Sequence, residues 1–88
     1  MTVTIRLFAA AAEVVGAHEV SLDATGLDLR TVADVRAALG AMGSDAGHQD
    51  SAAVIRQCAI LEAGVRRDDD HVLAAGTQID VMPPFAGG

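Results

Sequence analysis

The segment that most constrains the fold is Thr31 to Met42, the clearest helix in the chain. Val32, Val35, Leu39 and Met42 recur at helical spacing along one face, with Ala38 beside them. Thr31 is suited to cap the N-terminus and Asp34 follows three residues on, the pattern of a capping box. Arg36 falls on the opposite side, and Gly43 offers a C-terminal stop. Only one face is apolar, so this helix needs a sheet to cover.

The rest of the chain supplies one. Thr2 to Phe8 alternates, with Val3, Ile5 and Leu7 facing one way and Thr2, Thr4, Arg6 and Phe8 the other. Ala9 to Val15 is alanine-rich and predicts a short helix ending at Gly16, after which His18 to Leu22 reads as a second strand with Val20 and Leu22 inward. Ser44 to Asp50 is small and polar and reads as a loop, and Ala52 to Arg56 predicts a helical turn. Arg56 to Glu62 is strand-like, with Cys58 and Ile60 on one face and Ala59 and Leu61 on the other. Ala63-Gly64 marks a turn into a short strand at Val65-Arg66, and Arg67 to Asp70 is a charged loop. Leu73 to Gly76 is a tight turn feeding a last strand, Gln78 to Met82, with Ile79 and Val81 inward. The order β-β-α-β-(β)-β predicts an α+β fold, a small mixed sheet covered by one main helix. In its β-grasp (ubiquitin-like) form the first and last strands lie side by side in the centre, where Arg6 and Asp80 would pair.

At 88 residues there is room for one domain, expected over 1–82, with 83–88 as a flexible tail. The apolar fraction of 51% is ample for a core, but only Phe8 and Phe85 are aromatic. The core must therefore be aliphatic, and the chain is poorly equipped to stack on bases. A net charge of −6 repels phosphate backbones and anionic bilayers, so neither nucleic acid nor membrane is an expected partner. All six cations are arginine. Without lysine there is no Schiff base, no P-loop lysine and no side chain to accept an isopeptide bond. The start, MTVTIRLF, lacks the basic region and apolar run of a signal peptide, and no segment approaches the roughly 20 apolar residues of a membrane span. The expectation is a soluble cytoplasmic protein.

After Met82 the pattern breaks. Neither Pro83 nor Pro84 can donate a ladder hydrogen bond, and the pair favours extended geometry that leads the chain away from the body. Ala86-Gly87-Gly88 has almost no side-chain bulk. The last six residues, Pro83 to Gly88, span about 20 Å when extended, enough to enter a partner's deep site. Phe85 is the natural anchor for a partner's groove. A terminal carboxylate is ionised and inert as an acyl donor until a partner activates it. With nine glycines in the chain, Gly-Gly alone is moderate evidence; straight after a strand and a Pro-Pro break it is much stronger.

The chain here resembles the MoaD family, the small sulfur-carrying subunit of molybdopterin synthase, nearly end to end. The resemblance rests on Leu7-Phe8-Ala9 with Glu13 and Gly16, on Leu73, Gly76, Ile79 and Val81, and on the closing Pro83-Pro84-Phe85-Ala86-Gly87-Gly88; the segment from Cys58 to the end is similar to actinobacterial members. It implies that a MoeB-type E1-like adenylyltransferase uses ATP to adenylate Gly88. A sulfur donor of rhodanese or cysteine desulfurase type then converts it to a thiocarboxylate. It further implies that Pro83, Pro84, Phe85, Ala86 and Gly87 thread into a MoaE-type large subunit, commonly in a heterotetramer, where sulfur passes to precursor Z (cyclic pyranopterin monophosphate). The small subunit would bind no cofactor of its own, and the catalytic groups acting on the pterin would belong to the large subunit. Two positions depart from the pattern: Ala63 stands where Asn often precedes Gly64, and Thr77 where an acid commonly follows Gly76. Carriage to cysteine or thiazole biosynthesis and ubiquitin-like protein modification are the alternatives.

Other constellations weigh less. Cys58 is expected to pack as a small apolar residue rather than act as a sulfur relay or redox thiol. His18, His48 and His71 are scattered, and Asp68-Asp69-Asp70 reads as a solvated loop, partly neutralised by Arg66-Arg67, rather than a cation site. Phe8 has two readings: part of a partner-binding patch with Met82 and the stem of Arg6, or a cap on the core edge beside Ala9 to Val15.

Overall fold

A computed structural model of the chain describes residues 2–23 and 29–84. Strand β1 (Thr2–Leu7) leads through helix α1 (Ala10–Val15) to β2 (Glu19–Asp23). The main helix α2 (Val32–Asp45) and a shorter α3 (Ser51–Gln57) follow, then β3 (Ala59–Glu62), β4 (Val65–Arg66) and β5 (Gln78–Met82). The sheet order is β2-β1-β5-β3-β4. β1 and β5 run parallel in the centre, and every other pair is antiparallel. This is the expected α+β β-grasp arrangement, first and last strands adjacent.

The alternation in the sequence decides what is buried. Val3, Ile5 and Leu7 on β1 and Ile79 and Val81 on β5 are buried, joined by Ile60 on β3 and Leu22 on β2. Val32, Val35 and Leu39 of α2 and Ile55 of α3 lie in the same core. Among the described residues no aromatic ring contributes, and the buried apolar set is aliphatic with alanine and Cys58. Among the described residues no helix is long and apolar enough to cross a membrane.

The helix start is as expected. Thr31 Oγ1 accepts from the Asp34 amide, and Asp34 Oδ2 accepts from the amides of Thr31 and Arg30. Two further amides of the first turn, Val32 and Ala33, donate to the carbonyls of His71 and Asp69, so the 67–73 loop completes the cap.

The helix end is not. Gly43 does not stop α2, which continues to Asp45. Gly43 is instead a point of close approach between helices. A Cβ there would collide with Ser51 Cβ and lie 2.8 Å from the Val14 carbonyl oxygen. Ser51 opens α3, is fully buried and donates from Oγ to the Gly40 carbonyl at 2.7 Å. The expected loop is accordingly shorter, the expected helical turn is a full helix through Gln57, and β3 begins at Ala59 rather than Arg56.

Candidate functional site

The outward face of the two central strands, at the end where β5 runs out, brings together the residues expected to meet a partner. In the parallel register Arg6 stands beside Asp80, and their side chains form a two-pronged pair, Nε to Oδ1 at 2.8 Å and Nη2 to Oδ2 at 3.1 Å. The hydrogen bonds Arg6 donates to the Asp80 carboxylate push the guanidinium pKa up. Arg6 Cζ also lies 5.8 Å from the centre of the Phe8 ring. The Phe8 amide donates to the Val81 carbonyl, carrying the β1–β5 ladder one step further toward the exit.

Phe8 and Met82 are 37% and 41% exposed, and the register places both at the exit end of the central strands. Met82 is opposite Ala59 and Asp80 is opposite Leu61, both half-buried on β3. The face is therefore apolar near the exit, with the Arg6–Asp80 pair beside it. Phe8 stands outward next to Arg6, outside the buried core. Pro83 and Pro84 follow β5 directly, without secondary structure. The remaining tail positions read from sequence, Phe85, Ala86, Gly87 and Gly88, lie outside the described residues.

Cys58 is 2% exposed, with Sγ donating to the Val54 carbonyl at 3.2 Å, and burial pushes the thiol pKa up. It is packing, not a reactive thiol. Among the described residues no group of three or more His, Cys, Asp or Glu could hold a metal ion. The acidic run is less passive than a solvated loop. Asp69 pairs with Arg36 at 2.7 Å, and Arg36 Nη1 also donates to the carbonyls of Ile55, Arg56 and Cys58 at the end of α3. Arg36 thus ties loop, α2 and α3 together from the side of the helix opposite its apolar face, where sequence placed it.

Sequence reasoning missed Glu62. It ends β3 in the inward phase set by Ile60 and is 7% exposed. Its carboxylate accepts from Thr77 Oγ1 at 2.8 Å and pairs with His71 Nε2 at 2.7 Å; Arg67 Nε lies 3.5 Å away. The Thr77 hydrogen bond holds the carboxyl below its ordinary range, helped by His71 and the Ala74 amide, against the opposing effect of burial. Thr77, which departs from the family pattern, therefore meets an acid supplied by β3. The signal was present: a glutamate two residues after Ile60 occupies a core-facing position and needs a partner. The cluster joins β3 to the 67–77 loop at the end of the sheet away from Met82, so it supports the fold rather than the exit.

A family model described as the ThiS family matches residues 5–88. The chain belongs to this family and is a ubiquitin-like β-grasp domain of the ThiS/MoaD type. Among solved structures it is similar to SAMP1 from Haloferax volcanii, with 26% identity over 100% of both chains and a TM-score of 0.73. It shares its fold with molybdopterin converting factor subunit 1 from Pyrococcus furiosus, at 19% identity over 96% of this chain and 98% of that one, TM-score 0.71. It also shares it with the complex of molybdopterin-converting factor subunits 1 and 2 from Helicobacter pylori, at 20% identity over 100% of both chains, TM-score 0.63. No curated protein matches the sequence.

Proposed function

We propose that the chain is the sulfur carrier subunit of a molybdopterin synthase, non-catalytic by itself, with Gly88 as its working end. The observation that carries the reading is where the chain leaves the fold. A central strand ends at Met82 beside an exposed apolar patch, Pro83-Pro84 ends the ladder, and the family match runs on through Gly87-Gly88. An E1-like partner would adenylate Gly88 with ATP, and a rhodanese or cysteine desulfurase type donor would replace one carboxylate oxygen by sulfur. A MoaE-type large subunit would take the tail, with Phe8, Met82 and Arg6 at the docking face, and direct the sulfur to precursor Z. The H. pylori complex of subunits 1 and 2 supports a two-subunit assembly of this kind. The cytoplasm, where ATP is available, is the proposed location.

Incubation with a cognate E1-like enzyme, ATP and a sulfur source should exchange one oxygen for sulfur at the C-terminus, read by intact mass. A strain whose chain lacks Gly88 should lose molybdopterin synthesis; normal synthesis there would remove the reading. The likeness to SAMP1, described as a small archaeal modifier protein, favours a second reading, conjugation to other proteins. Gly88-dependent ladders on denaturing blots would support it. Carriage to a cysteine or thiazole pathway keeps the same chemistry, and co-purification with a MoaE-like protein separates it from the first.

A further inference from the structure

Residues paired across a ladder share one face of a sheet, so the register sorts the outward face into rows. The row nearest the exit holds Phe8 just past β1, Met82 on β5 and Ala59 on β3, all apolar. The next row runs Glu19, Arg6, Asp80, Leu61 and Arg66 across β2, β1, β5, β3 and β4. Two carboxylates and two guanidiniums cancel there, on a chain whose net charge is −6. The row after that holds Ser21, Thr4 and Gln78, polar but uncharged.

In the middle of the charged row the pairing is complete in itself. Arg6 Nε and Nη2 donate to the two oxygens of Asp80 at 2.8 and 3.1 Å, a two-pronged geometry that fixes the guanidinium plane. Glu19 stands on the other side of Arg6, and the guanidinium carbon lies 5.8 Å from the centre of the Phe8 ring. The pair therefore borders the apolar row directly. A partner that covers Phe8 and Met82 also strips water from Arg6 and Asp80, whose side chains are still 47% and 23% exposed. A charge that loses its water needs a counter-ion. Here each group already has one: both carboxylate oxygens are taken, and the guanidinium is held on two of its nitrogens. Neither requires an opposite charge from across an interface.

We propose that Arg6 and Asp80 act as each other's counter-ion within the docking face, so that the partner meets this row with an uncharged surface and recognition is carried by the apolar row. The partner that fits is a subunit presenting an apolar strip across the two central strands, with no acid opposite Arg6 and no base opposite Asp80. For the identity of that partner, the large subunit, the proposal rests on the reading above.

The test is a double-mutant cycle in binding to the large subunit, by calorimetric titration of the full chain. Arg6→Met keeps an apolar stem and drops the cation, Asp80→Leu drops the acid, and a third variant carries both. Each single variant leaves one charge unmatched beneath the partner and is expected to bind at least about tenfold more weakly than wild type. The double variant is expected to bind within about threefold of wild type, with the same change in affinity between about 50 and 500 mM salt. Asp80→Leu binding as well as wild type, beside a double variant as weak as Arg6→Met, would overturn the proposal, because an acid on the partner would then be reading Arg6. A double variant that loses the wild type's salt dependence would overturn it too, and that comparison stands even where a single variant fails to fold. A wild type that binds no large subunit would remove the proposed function and this inference together, whereas one that binds but fails the cycle would remove the inference alone.

Discussion

At the residue scale, two alanines occupy backbone conformations that favour glycine. Ala63 has φ 53 and precedes Gly64 at φ 80, so the β3–β4 hairpin makes a turn with both central residues left-handed. Asn-Gly is the preferred pair for such a turn because asparagine tolerates that region. Ala63→Asn should therefore raise stability by roughly 0.5–1 kcal/mol in urea unfolding. Ala9 sits at φ 50, ψ −126 between Phe8 and α1, a region open mainly to glycine. Ala9→Gly should stabilise by about 1 kcal/mol. A lowered urea midpoint for either variant would remove the strain account at that position. Glycine made the first turn legible in sequence. Nothing in the alanine run around Ala9 signalled that its first residue is not helical, because propensity scales read alanine as helix wherever it occurs.

At the element scale, α2 and α3 meet through a glycine contact, and the 67–77 loop is locked to them by polar groups. Gly43→Ala should cost about 2 kcal/mol or more, since the added methyl meets Ser51 and the Val14 carbonyl. Thermal unfolding checks this, and a wild-type Tm would mean that the helices do not pack as described. Glu62 predicts a pH dependence. Its folded pKa lies below the ordinary value of 4.5. The stability it contributes is complete above the unfolded value and is lost as pH falls through the folded one. Thr77→Val, which removes the leading hydrogen bond, should cost about 1–3 kcal/mol at pH 7 and less at an acid pH below the folded value, measured by urea unfolding at both. An equal loss at the two pH values would place the effect elsewhere. The capping box at Thr31 and Asp34 was readable because it is local. Gly43, Arg36 and Glu62 were misjudged or missed because their partners are Ser51, the end of α3 and the Thr77 loop, which only the tertiary fold brings near.

At the scale of the whole molecule, period-2 alternation and one amphipathic helix made the β-grasp legible, down to the Arg6–Asp80 pairing across the central strands. The exit patch was one of two sequence readings of Phe8: alternation placed it outward, and the parallel register, continued one step past Leu7 and Val81, sets it level with Met82. Phe8→Ala and Met82→Ala should each weaken binding of the folded variant to a MoaE-type subunit by about 1 kcal/mol or more. Calorimetric titration would check this, and unaltered affinity would move the docking face elsewhere. The central claim concerns the terminus, and the most direct measurement is intact mass after incubation with an E1-like enzyme, ATP and a sulfur source. The account predicts one oxygen-to-sulfur exchange, mapped by fragmentation to Gly88 and absent when Gly88 is deleted. An unchanged mass with an active cognate enzyme, or sulfur on Cys58 instead, would contradict it.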